Sequence, residues 1–224
     1  MGEAILNRLL RRLPKSGETP RNDKIKKFMN ACIKKLAVFV SGGGTNMENL
    51  VLKIREQRLP YEAAIVICDK PGAKALERAA RLGVETKLID RDLFASKEFF
   101  EQAIVAELEK HAVDFIALAG FMRILSADFV NRYSGRLINI HPSYLPAFPG
   151  GHAIADAFKA RPLEAGTGVT VHFVTPAVDA GPVILQRKVP LLPDDTLETF
   201  EARIHAAEYE IYPEALRRLA QDRA

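Results

Sequence analysis

Three short stretches of this chain combine residue types and spacings that can do chemistry. In Asn139-Ile140-His141-Pro142-Ser143, an amide and an imidazole stand two positions apart. On a strand both point to the same face. They then offer a neutral hydrogen-bond donor beside a group that titrates near neutrality, a pairing suited to acyl transfer. The stretch runs into Leu145-Pro146-Ala147-Phe148-Pro149-Gly150-Gly151, whose prolines and glycines fix the path of a loop beside that pair. The second stretch is Ser41-Gly42-Gly43-Gly44-Thr45-Asn46, and the third is Val178-Asp179-Ala180-Gly181-Pro182. An aspartate ahead of Gly-Pro is, on pattern alone, turn chemistry.

The glycine stretch lies between a short apolar run, Leu36–Val40, and a helical pattern with Met47, Leu50, Val51 and Ile54 on one face. Successive glycines let backbone N–H groups converge, and the following helix N-terminus adds positive potential, so an anion is the natural ligand. No Gly-Lys-Ser/Thr follows, which excludes a Walker A loop, and Met47 occupies the third glycine position of the dinucleotide fingerprint. One terminal phosphate therefore fits better than a dinucleotide. Asp69 opens a turn, Asp69-Lys70-Pro71-Gly72, a more economical reading than a ribose contact. His172 stands in a strand-like run and is either a neighbour of the reactive groups or a buried structural histidine.

These stretches need elements to hold them. Strands are predicted at Leu36–Val40, Ala63–Cys68, Glu85–Ile89, Val113–Ala119 and Arg136–Ile140. Helices are predicted at Asn46–Gln57, Ala73–Leu82, Ser96–His111, Asp128–Tyr133 and Ala153–Ala160. Strand after helix at this pace implies an α/β fold with a doubly wound, mainly parallel sheet. No helix fits between Gly168–Val174 and Val183–Val189, so these form an antiparallel C-terminal strand pair. Thr196 is the expected N-cap of a closing helix that reaches Ala220, and Pro213 is expected to kink or divide it.

With 224 residues the chain suits one domain, and its 48% hydrophobic and 27% charged residues are ordinary for a globular protein. Its net charge of +4 is unevenly placed. Residues 1–35 carry ten Lys or Arg against three acids, leaving the remainder at −3, so the domain has no nucleic-acid footprint. Residues 1–34, broken by Pro14, Gly17 and Pro20, read as a basic, flexible leader, and residues 35–224 as the folded domain. Cys32 and Cys68 lack ligand spacing, and the five histidines show no metal-binding pattern, so no metal is expected. The absence of a signal-like or membrane-spanning apolar run points to a reducing, cytoplasmic setting.

Taken in order, five motifs resemble the folate-dependent formyltransferase family. They are Val40–Asn46, then Leu118-Ala119-Gly120-Phe121-Met122-Arg123-Ile124-Leu125, then Asn139–Gly150, then Gly168–Val174 continuing to Val178–Pro182, and finally Glu208 with Ile211-Tyr212-Pro213. The resemblance covers about residues 35–220. It implies a Rossmann-like formyltransferase fold and a 10-formyltetrahydrofolate co-substrate. It also implies a phosphoribosylglycinamide acceptor in purine biosynthesis, with small-molecule partners only and a monomer or homodimer. By the same resemblance Asn139, His141 and Asp179 are the catalytic trio, with Asp179 favouring the charged imidazolium. The acceptor's phosphate and ribose fall on Gly43, Gly44, Thr45, Asn46 and Glu208. The folate falls on Lys97, Met122, Arg123, Ile124 and Leu125, on Asn139, and on Thr175, Pro176, Ala177, Val178 and Asp179. Two departures stand out: Pro176-Ala177 replaces a commonly acidic–small pair, and Lys97 replaces a common Arg, losing its bidentate fork. Relatives acting on tRNA or hydrolysing the formyl folate carry an added domain, for which neither the few residues after Tyr212-Pro213 nor the leader leaves room.

Overall fold

A computed structural model describes residues 33–160 and 167–221. The basic leader, except for its last two residues, lies outside the described residues, as does Cys32. The elements run β1 (Lys34–Val40), α1 (Thr45–Glu56), β2 (Tyr61–Cys68), α2 (Lys74–Arg81), β3 (Thr86–Leu88), α3 (Lys97–Lys110), β4 (Phe115–Leu118), α4 (Ala127–Arg132), β5 (Leu137–His141), α5 (Ala153–Lys159), β6 (Gly168–Phe173), β7 (Val183–Lys188) and α6 (Leu197–Gln221).

The seven strands form one sheet in the order β3-β2-β1-β4-β5-β6-β7. The first five in sequence pair in parallel, and β6 runs antiparallel to both β5 and β7. The expected C-terminal strand pair is thus present, and one of its members also reverses against β5. In β1, Leu36–Val40 are fully buried because both sheet faces are covered. Leu36, Val38 and Val40 pack in a core with residues of α1, α2 and α6, while Ala37 and Phe39 pack with residues of α3 and α4. Strand order reverses where β1 meets β4, and in open α/β sheets ligands collect beyond the carboxyl ends of strands at that point.

Side chains cap helix starts at Thr196, as the sequence predicts, and also at Ser96. Ser96 Oγ accepts from Phe99 N at 3.3 Å, and Thr196 Oγ1 accepts from Thr199 N at 3.2 Å. Pro213 differs from expectation, because α6 is continuous over 25 residues with Pro213 inside it. A proline has no N–H for the carbonyl four residues back, here that of Tyr209. Asn49 Nδ2, on α1, donates to Tyr209 O at 2.7 Å, so a side chain from another helix fills the gap.

Candidate active site

At the end of β5, the alternation of the strand sends Ile138 and Ile140 into one core and Leu137 into the other. Asn139 and His141 share the face of Leu137, and both open onto a cavity of about 250 Å³. Asp179, from the turn before β7, lines the same cavity. Its backbone is left-handed, at φ 51°. Gly181 makes that turn possible, since a Cβ there would lie 1.7 Å from Phe173 O. The turn can therefore close tightly over β6 and bring the acid back to the cavity. Gly150 N holds Asp179 Oδ2 at 2.8 Å, and His141 Nδ1 lies 3.6 Å from the same oxygen.

Hydrogen-bond logic fixes several protons here. Phe148 O lies 2.9 Å from His141 Nε2, and a carbonyl only accepts, so Nε2 carries hydrogen. Phe173 O likewise requires hydrogen on His172 Nδ1, at 2.9 Å. Burial pushes the His172 pKa down, which keeps the ring neutral and its Nε2 bare. That nitrogen accepts from Asn139 Nδ2 at 3.3 Å, its direct partner in the β5–β6 register. The Asn139 amide is thereby oriented with a second N–H to spare. His172 is thus in contact with the reactive groups, the first of the two alternatives left by the sequence.

The wall opposite is the segment after β4, pinned at several points. Ser41 N donates to Gly120 O at 3.0 Å, and Met122 N donates to Ser41 Oγ at 2.8 Å. Glu101, buried on α3, accepts from Ser126 N at 2.7 Å. Arg123 Nε meets Asp69 Oδ2 at 2.5 Å. Asp69 is 1% exposed, so beyond its turn it is the buried counter-charge of Arg123. Met122 and Ile124 are 64% and 69% exposed, whereas Phe121 and Leu125 turn into the core. An apolar ledge with backbone polar groups suits a flat heterocycle.

Of the residues expected to face folate, Met122, Arg123, Ile124, Leu125, Asn139, Thr175, Pro176, Val178 and Asp179 line this cavity, and Lys97 and Ala177 do not. Lys97 begins α3, and Ala177 O accepts from Thr175 Oγ1 at 3.1 Å.

The glycine stretch forms a second region. It connects β1 to α1, and its bonds from Ser41 place it behind the Gly120–Met122 wall. Gly44 is left-handed at φ 74°, and a Cβ there would stand 2.6 Å from Ala75 Cβ, so packing demands glycine. Gly43 is exposed, and a Cβ there would meet nothing within 4 Å. Asn46 Nδ2 donates to the buried Glu208 at 2.9 Å, joining the loop to α6. Gly43, Gly44, Thr45, Asn46 and Glu208 do not line the 250 Å³ cavity, so the sequence-derived site residues fall into two adjoining groups. One neighbour was missed in sequence: His205, which meets Glu208 from one helical turn away. Its i, i+3 spacing from Glu208 was the only signal.

The doubly wound sheet with an amide, an imidazole and an acid at one cavity places the chain among α/β folds, and the chain belongs to the formyl transferase family, whose match spans residues 34–216. It is 43% identical over 187 residues to phosphoribosylglycinamide formyltransferase of Bacillus subtilis (strain 168), covering 84% of this chain and 95% of that protein. It is 42% identical over 189 residues to the trifunctional purine biosynthetic protein adenosine-3 of Homo sapiens, covering 83% of this chain and 18% of that protein. The crystal structure of phosphoribosylglycinamide formyltransferase from Bacillus halodurans superposes with a TM-score of 0.81 at 41% identity, covering 85% of this chain and 97% of that chain.

Proposed function

We propose that the chain transfers the formyl group of 10-formyltetrahydrofolate to the glycinamide amine of 5′-phosphoribosylglycinamide, a step of de novo purine biosynthesis. The observation that carries this reading is the convergence of Asn139, His141 and Asp179 on one cavity, near a loop with exposed glycines. The acceptor and the formyl group are those in the names of relatives matched over most of their length, and the folate donor is the one implied by the family resemblance. The reading includes small-molecule partners, a cytoplasmic site of action and a domain spanning residues 35–224.

The amine nitrogen attacks the formyl carbon and a tetrahedral oxyanion forms. The spare N–H of Asn139 and an N–H of His141 stabilise that charge, and Asp179 balances the imidazolium. As the bond from carbon to the folate nitrogen breaks, the proton lost by the attacking amine ends on that nitrogen, passed through water. No covalent enzyme intermediate is required. Both His141 nitrogens already face protein groups, Phe148 O and Asp179. Its Nε2–H therefore reaches an oxyanion by exchanging the Phe148 carbonyl for the substrate. Phe148, left-handed at φ 51° in the Pro- and Gly-rich loop, is the residue that must yield.

The test is a spectrophotometric assay with 10-formyltetrahydrofolate and phosphoribosylglycinamide. Formation of the formylated acceptor with saturation in both substrates is expected, and absence of turnover would refute the reading.

A further inference from the structure

Where the glycine loop meets α6, one carboxylate oxygen gathers two donors. Glu208 Oε2 accepts from Asn46 Nδ2 at 2.9 Å and from His205 Nδ1 at 2.7 Å. Glu208 is 3% exposed. Asn46 closes the loop motif, and its Oδ1 is buried without a partner among the described residues. The amide is therefore oriented by Glu208 alone: an ionised carboxylate demands the NH₂ end, and a rotated amide would set two acceptors against each other.

This arrangement poses an electrostatic problem for a phosphate. Residues 41–46 contain no cation, so the loop offers only neutral donors: backbone N–H groups, hydroxyls and the Asn46 amide. Beside it stands a buried acid, which would repel an incoming dianion. The group that meets this acid is His205.

Resting on the reading of the loop as the acceptor's phosphate site, we propose that His205 acts as an imidazolium positioning residue of that site. It holds the Glu208 carboxylate aimed at Asn46, and it offsets negative charge next to a phosphomonoester. The hydrogen bond to Glu208, opposed by partial burial, holds the His205 pKa above the ordinary histidine range. The other charged neighbour is Glu201 on the same helix, 3.5 Å from Nε2. The Tyr209 ring stacks at 6.5 Å, and the group facing from α1 is the neutral Asn46 amide. A raised pKa means that the contribution is complete below the ordinary histidine value and is lost as pH rises through the raised one.

The experiment compares His205→Leu and His205→Gln with the unaltered chain in steady-state kinetics across pH. In His205→Leu, the KM for the phosphorylated acceptor should rise about tenfold, while kcat and the folate KM change little. His205→Gln, which keeps a donor without the charge, should recover part of the affinity. It should also lose the rise of acceptor KM with pH that the unaltered chain shows beyond the phosphate's own ionisation. An unchanged acceptor KM, or equal changes in both KM values and kcat, would overturn the proposal. A separate NMR titration of His205 should show a midpoint that falls in Glu208→Gln, and an unmoved midpoint would also overturn it. No transfer by the unaltered chain would instead defeat the reading of the loop.

Discussion

Around the cavity at the end of β5, reactive groups are placed by side chains on paired strands, whereas at the glycine loop the backbone itself is the presented surface. Asn139 is set by a strand partner, His172, and Asp179 by a turn that only Gly181 allows. Every nitrogen of the two cavity histidines faces a protein atom. At the loop, Gly43 is open and Gly44 is locked against Ala75. The difference teaches that the cavity side chains are already held by protein partners, with only the Phe148 carbonyl to be exchanged in the proposed reaction, whereas the loop leaves backbone open where the proposed acceptor would supply the contacts. Pre-wired donors favour the transition state, and bare backbone favours binding.

The largest effect should come from the cavity. His141→Ala is expected to lower kcat by about 10³-fold, within the range for a positioned acid–base group, with the acceptor KM changed little. Asp179→Asn should cost less, about 10²-fold. Near-normal turnover in His141→Ala, measured in the same assay, would remove the distinction between the two regions.

The loop sharpens it further. Gly43→Val should leave the thermal midpoint near its original value and raise the acceptor KM at least about tenfold, with the folate KM nearly unchanged. Gly44→Val should instead destabilise the fold by about 3 kcal/mol, from its left-handed backbone and the clash with Ala75. Thermal melts beside kinetics separate the two, and a folate KM that moved more than the acceptor KM would mean that the ligands are placed the wrong way round.

A smaller effect is expected from Asn49→Ala, about 1–2 kcal/mol by denaturant unfolding, because Tyr209 O would lose its donor opposite Pro213. Smallest of all is removal of residues 1–28. By composition, their few apolar residues, mainly Ile5, Leu9, Leu10 and Leu13, offer too little surface to offset an ordering cost of roughly 1–2 kcal/mol per residue. The shortened chain should keep kcat/KM within about twofold, and a tenfold loss would show that the leader contributes to the domain.

What was legible in the sequence is what local pattern encodes. The apolar run Leu36–Val40, the glycine loop, the cap Thr196 and the pairing of β6 with β7 all follow from spacing and residue type. The placement of Asp179 was legible only through resemblance, since the Asp-Gly-Pro pattern suits any turn. Contacts between distant residues were not legible. Asp69 reads as a turn residue until Arg123 is beside it, 54 positions away. Pro213 reads as a helix breaker until Asn49 supplies the donor, 160 positions from Tyr209. His205 carries no signal beyond its spacing from Glu208 until Glu208 is seen to hold Asn46.

Direct transfer between two ligands, one on each region, is tested most sharply by separating the donor from the acceptor. The protein would be mixed with 10-formyltetrahydrofolate alone, its intact mass recorded, and phosphoribosylglycinamide added afterwards. The expected result is an unmodified protein mass, little loss of the formyl group before the second addition, and prompt stoichiometric appearance on the acceptor after it. A formylated protein, or release of formate at the same rate with no acceptor present, would contradict it.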